Sequence, residues 1–234
     1  MLINNYITEQ NLQAYRLCWI NGRFGSGKTS LAYMLVKPYL EKGYRLVSNN
    51  RSIWADEIES IKPFPDGKLK TIIILDEGGL EFKSSRQIEM IAAYAAKMDV
   101  IYVIPSYFPP CRAAQVMTIQ AVFNLKSAGI PVILYKWRIR VGGFFDDKGF
   151  FIWWNPKEIY GIYSRSDPGA RSEKIVAWII KQTEEFRRHW GYDDGIQEME
   201  EEGGQAVQFN DSVETLSDAI DRQQALFTGK RRRR

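Results

Sequence analysis

Gly22-Arg23-Phe24-Gly25-Ser26-Gly27-Lys28-Thr29 sets a lysine and a hydroxyl directly after a glycine-rich turn, in the pattern G-x-x-x-x-G-K-[ST]. The residue types suit one chemistry. Glycines let the backbone wrap close to an anion, so that its N–H groups face phosphate oxygens. Lys28 can reach the outer phosphates, and the Thr29 hydroxyl can ligate Mg²⁺. A helix that follows the loop sets its positive end against the anion. The expected ligand is a nucleotide, ATP with Mg²⁺, held by Gly22, Gly25, Ser26, Gly27, Lys28, Thr29 and Ser30.

A second element is Ile72-Ile73-Ile74-Leu75-Asp76-Glu77, an apolar run ending in two carboxylates. Asp76 is the expected holder of the magnesium shell. Glu77 is placed to orient or deprotonate an attacking water. Solvated acids at a strand end would look the same in isolation; beside the loop, the pair favours hydrolysis over nucleotide binding alone. Asp76-Glu77-Gly78-Gly79 also fits D-x-x-G, and Ala96-Lys97-Met98-Asp99 is one residue from the guanine-reading N-K-x-D of GTPases. Position argues against that reading, because Lys97 to Asp99 precedes a strand instead of following one.

These groups need strands to carry them and helices to pack the strands. Apolar runs alternate with helical patterns through the first two-thirds of the chain, which predicts an α/β layer architecture. Strands are expected at Tyr15–Ile20, Arg45–Ser48, Thr71–Leu75, Val100–Ile104 and Val132–Trp137. Helices are expected at Thr29–Glu41, Ser84–Lys97, Arg112–Lys126 and Arg171–His189. Thr71–Leu75, fully apolar and β-branched, reads as a buried parallel strand. Arg138–Trp154 reads as a β-hairpin or ribbon, with two arms around Gly142-Gly143 and Asp146-Asp147-Lys148-Gly149. Residues 1–190 form the expected domain. Residues 191–234 follow as an acidic linker, a short amphipathic helix at Asp211–Phe227 and a basic tail.

The chain has 234 residues, 45% hydrophobic and 26% charged, enough apolar material for a core. Two cysteines and one histidine exclude a Cys/His zinc site and a disulfide framework. The net charge is +4, yet Lys230 to Arg234 alone supply five positive charges, so the rest is close to neutral. No stretch has the roughly 18 apolar residues of a membrane span, and Met1–Gln10 lacks the features of a signal peptide. The expectation is a cytoplasmic protein without stable membrane insertion.

The loop, the Asp76-Glu77 pair and the following strand Val100–Ile104 with Ser106 resemble the P-loop ATPases of the RecA-like (ASCE) type. The resemblance implies a P-loop NTPase core with a mostly parallel sheet flanked by helices. It assigns Ser106 to a polar sensor of the γ-phosphate; a turn residue after Pro105 is the plain alternative. Asp76-Glu77 followed by Ser85-Arg86, and Glu158-Ile159-Tyr160-Gly161-Ile162-Tyr163-Ser164 late in the chain, look like the FtsK–HerA group. Within it, viral genome-packaging ATPases and zonula occludens toxin-like phage assembly ATPases are the most similar.

That likeness implies a homo-oligomeric, hexameric ring threading double-stranded DNA, with capsid or portal-vertex proteins as further partners. The location would be the host cytoplasm or the virion. Arg86 and Arg112 are the candidates for an arginine acting on a neighbouring subunit's nucleotide, or are ordinary surface arginines. Arg138 and Arg140, interleaved with Trp137, could touch DNA or be exposed charges over buried aromatics. Phe150, Phe151, Trp153 and Trp154 are expected to pack a core or a subunit interface. The basic tail could contact nucleic acid, dock on the acidic linker or serve solubility. The competing function is an assembly or regulatory ATPase acting on protein partners. A third reading, a small-molecule P-loop kinase, finds no arginine-rich lid pattern in the sequence to support it.

Overall fold

Apolar residues at every second strand position and every third or fourth helix position sort the core onto the two sides of one sheet. The computed structural model describes residues 2–3, 6–77, 82, 85–107, 117–124, 132–141, 145–154, 159, 161–164 and 169–190. The chain divides into a compact unit Met1–Asp193 and a second unit Asp194–Arg234, and the described residues all belong to the first. In order, the elements are β1 (Leu2–Ile3), α1 (Tyr6–Tyr15), β2 (Leu17–Asn21), α2 (Lys28–Glu41), β3 (Arg45–Ser48), β4 (Arg51–Ser52) and a 3₁₀ turn (Ile58–Ser60). There follow β5 (Thr71–Ile74), α3 (Ser85–Ala95), β6 (Val100–Ser106), β7 (Met117–Asn124), β8 (Val132–Val141), β9 (Phe145–Trp154), β10 (Tyr163–Ser164) and α4 (Gly169–His189).

Eight strands form one sheet in the order β1-β9-β8-β7-β2-β6-β5-β3, while β4 and β10 pair separately. From β3 to β7 every neighbour is parallel. From β7 to β1 every neighbour is antiparallel. Strands β3, β5 and β6 lie on one side of β2, and the chain then crosses to add β7 on the other. The carboxyl end of β2 is thus a topological switch point, where open α/β sheets offer a crevice to ligands.

Within β2 the faces alternate. Cys18 and Ile20 point to a core shared with Leu12 of α1 and with Leu31, Leu35 and Tyr39 of α2. Leu17 and Trp19 point to the opposite core, with Ile88 and Ile91 of α3 and Ile175 and Ile179 of α4. Strand β5 is buried along its whole length, as a parallel strand covered on both faces must be. The burial also pushes the Cys18 thiol up, which leaves it an inert core residue.

Two expectations change. The helix expected over Arg112–Lys126 is, for its described part, strand β7. Met117 and Ile119 are buried, Thr118 is half-buried and Gln120 exposed, so the period is two. The parallel ladder with β2 and the antiparallel ladder with β8 override the helical leaning of its Ala and Gln residues. The ribbon expected at Arg138–Trp154 begins earlier, because β8 is continuous from Val132, and its arms are part of the main sheet. Asp146-Asp147-Lys148-Gly149, expected between the arms, lies within β9, laddered to β8. Helix α1 carries no signal that was read from the sequence. Arg112, Gly78-Gly79, the helix expected at Asp211–Phe227, the acidic linker and the basic tail lie outside the described residues. Among the described residues no helix is long and apolar enough to cross a membrane.

Candidate functional site

The loop at residues 22–27 joins β2 to α2, and its glycines have geometric reasons. Gly25 and Gly27 adopt left-handed backbone, with φ of 74° and 85°. A Cβ on Gly27 would also come within 3.0 Å of Ile133 Cδ1 and 3.2 Å of the Tyr135 hydroxyl. A Cβ on Gly22 would stand 2.7 Å from Ser26 Oγ. Strand β8 backs the loop directly, since the Tyr135 hydroxyl donates to the Ser26 carbonyl at 3.4 Å. Ser26 Oγ is buried without a hydrogen-bond partner among the described residues. A buried donor left unpaired inside this loop fits a site built to receive an acceptor such as a phosphate oxygen.

Lys28, the first residue of α2, is 6% exposed. Its ammonium donates to the carbonyls of Gly22 at 3.0 Å and Arg23 at 3.3 Å, and lies 3.8 Å from Glu77 Oε1. The Thr29 hydroxyl donates to Asp76 Oδ2 at 2.8 Å. A loop residue and a strand-end residue 47 positions apart therefore meet where both were expected to serve a metal. The Ser30 hydroxyl is hydrogen-bonded to Tyr163 at 2.8 Å, and Tyr163 stacks on Tyr33 of α2 at 4.6 Å. The late Tyr-Ser motif is thus carried by the β4–β10 pair to the helix that leaves the loop.

Asp76 has two supports that sequence reasoning missed. Asn50 Nδ2 donates to the same Oδ2 at 3.1 Å. Asn49 clamps the Asp76 peptide, donating to its carbonyl and accepting from its N–H, both at 2.8 Å, and also donates to Ser172 of α4 at 2.8 Å. The available signal was Asn49-Asn50 directly after an apolar strand parallel to the Asp76 strand, a pairing visible only once the sheet order is known.

Glu77 adopts φ 54°, held by its N–H bond to the Pro105 carbonyl at 2.7 Å. Its Oε2 accepts from the Tyr107 N–H at 2.8 Å and the Ser106 hydroxyl at 3.5 Å. Glu77 and Ser106 therefore stand side by side at the carboxyl ends of β5 and β6. Tyr107 stacks on Phe24 of the loop at 4.9 Å, and the Lys28 ammonium lies 5.5 Å from the Phe24 ring. A cleft of about 930 Å³ opens beside this pair, lined also by Arg23, Gln120 and Lys136. Arg86 is exposed in the first turn of α3. Trp137 is buried in the core, on the face of β8 opposite Arg138, so those two residues do not form one contact surface.

The parts can hold a nucleotide's phosphates on the loop, place a divalent cation between Thr29 and Asp76, and present a carboxylate to water at Glu77. No curated protein matches the chain. Residues 6–99, from α1 to the residue before β6, match the family model described as novel STAND NTPase 3, a similarity that indicates a P-loop NTPase.

Proposed function

We propose that the chain hydrolyses ATP with Mg²⁺. The observation that carries this reading is the 2.8 Å contact between Thr29 and Asp76, with Glu77 one residue further on and near Lys28. Magnesium held by Thr29 and Asp76 would neutralise charge on the outer phosphates. Lys28 exchanges the loop carbonyls for phosphate oxygens. Glu77, steadied by Tyr107 and Ser106, accepts the proton of a water whose oxygen bonds to the γ-phosphorus as the bond to the bridging oxygen breaks. Asn49 and Asn50 keep Asp76 in position.

The finer reading is a DNA-translocating motor. It rests on the likeness of the motifs to the FtsK–HerA group, with viral genome packaging by a homo-oligomeric ring as its most specific form. The test is ATP turnover without DNA, with double-stranded DNA and with single-stranded DNA, beside Lys28→Ala and Glu77→Gln. Stimulation by DNA that both substitutions abolish is the expected result. Turnover indifferent to DNA would favour an ATPase acting on protein partners. Turnover unchanged by either substitution would overturn the site assignment.

A further inference from the structure

Strands β7, β8 and β9 send alternate side chains into the core under α1 and α2. Their other face lies outside the α3/α4 core, which contains no residue of these strands. On it the register places Gln120 opposite Lys136, Lys136 opposite Phe150, and Arg138 between Thr118 and Lys148. Lys136, Arg138, Lys148, Gln120 and Phe150 are all exposed. Neighbouring rungs are about 7 Å apart along a strand and facing residues about 5 Å apart across it, so three cations share one small patch. Beyond them along β8 and β9, Arg140 stands opposite Asp146 in the ladder.

Phe150 is 53% exposed, flanked across the ladder by Lys136 and along its own strand by Lys148. A large apolar side chain left so open to water forgoes much of the stabilisation that burial gives. Lys136 also lines the cleft beside the loop. The face therefore runs without a break into the candidate nucleotide site and its stacked Phe24–Tyr107 pair.

We propose that this face binds single-stranded nucleic acid, with phosphates on Lys136, Arg138 and Lys148 and an unpaired base on Phe150. The proposal rests on the DNA-directed reading above; it names the surface and puts a single strand in place of the duplex that the likeness of the motifs implies. Cations alone would serve any polyanion. An exposed ring among them serves a base whose flat side is open, as in single-strand binding proteins, whereas a duplex hides those faces in its stack. An acidic peptide would use the cations and leave Phe150 idle.

The test is fluorescence anisotropy of a labelled oligothymidylate titrated with the full chain in EDTA, without nucleotide, at several salt concentrations. Lys230 to Arg234 are replaced by serine throughout, so that the tail does not mask the face. Phe150→Ala should weaken binding about 5- to 150-fold. Arg138→Glu with Lys148→Glu should weaken it more than tenfold and flatten the slope of log K against log salt by about 1.4.

Absence of binding by the background protein, or equal binding by Phe150→Ala, overturns the proposal. So does equal affinity for a duplex of the same length, or equal displacement by polyglutamate. If the charge-reversed chain does not fold, as judged by its circular dichroism melt, the exposed Phe150 variant still decides. ATP turnover measured in parallel separates the two readings. Hydrolysis without oligonucleotide binding removes this surface alone, and binding without hydrolysis removes the ATPase reading and leaves the surface.

Discussion

The two ends of the parallel sheet use the same backbone device for opposite purposes. Arg16, Lys70 and Asp99 at the amino end, and Glu77 at the carboxyl end, are non-glycine residues in left-handed backbone, with φ of 60°, 46°, 54° and 54°. Each such conformation costs on the order of 1 kcal/mol. At the amino end the carbonyls of Arg16, Lys70 and Asp99 accept from Tyr102, Arg45 and Thr71 at 2.7, 3.1 and 3.1 Å. Asp99 Oδ1 accepts from the Arg16 guanidinium and the Tyr44 hydroxyl, both at 2.7 Å.

Burial opposes the Arg16 charge, but its bonds to Tyr44 and Asp99 outweigh that, and its pKa is raised. Burial and then the bond to Asp99 raise that of Tyr44. At the carboxyl end the contacts of Glu77 with Ser106 and Lys28 lengthen to 3.5 and 3.8 Å, and Lys28 rests on loop carbonyls. At the amino end the side chains of the strained residues Arg16 and Asp99 bond to each other and to Tyr44. At the carboxyl end Glu77 and Lys28 keep, beside bonds of 2.8 and 3.0 Å, longer contacts that can be exchanged for a ligand. A strained residue marks function only when its side chain is left something to do.

Cutting each end separately should split activity from stability. Glu77→Gln or Lys28→Ala is expected to lower ATP turnover by about 10²- to 10⁴-fold while leaving the urea midpoint nearly unchanged. Asp99→Ala should do the reverse. Loss of hydrogen bonds to a charged group costs about 1.5–3 kcal/mol, seen as a lower urea midpoint at constant slope, with turnover per folded molecule preserved. A turnover collapse in folded Asp99→Ala would break the division of labour.

Asn50→Ala sharpens the carboxyl-end account. Removing a bond that orients a metal-holding carboxylate should raise the Mg²⁺ concentration for half-maximal turnover by about tenfold or more. The smallest effect concerns pH. Burial pushes the Tyr33 phenol, behind the loop helix, from 10.0 up to about 12. Its contribution to stability is complete below pH 10 and is lost as the pH rises toward 12, because the unfolded chain ionises first. The urea midpoint should therefore fall across that window, and less steeply in Tyr33→Phe.

The chemical groups were readable because each motif is contiguous. The loop needs glycines at fixed offsets from Lys28, and Asp76-Glu77 needs only an apolar strand before it. What escaped is what the sheet assembles from afar. Asn49 and Asn50 reach Asp76 because β3 pairs with β5, and Tyr163 reaches Ser30 because β10 pairs with β4. Met117–Asn124 read as helix because its strand character comes from its neighbours β2 and β8. Of the two readings of Arg138 beside Trp137, strand alternation gives the exposed charge over a buried aromatic.

The most direct measurement is the rise in melting temperature on adding ATP, with and without Mg²⁺, for the wild-type chain and Asp76→Asn. A ligand at about 100 times its dissociation constant stabilises the native state by about 2.7 kcal/mol. The account predicts a clear Mg²⁺-dependent rise for the wild type, with the Mg²⁺-dependent part abolished in Asp76→Asn. An undiminished Mg²⁺-dependent rise in Asp76→Asn would contradict the placement of the metal between Thr29 and Asp76. No rise in the wild type would contradict a nucleotide site at the carboxyl end of β2.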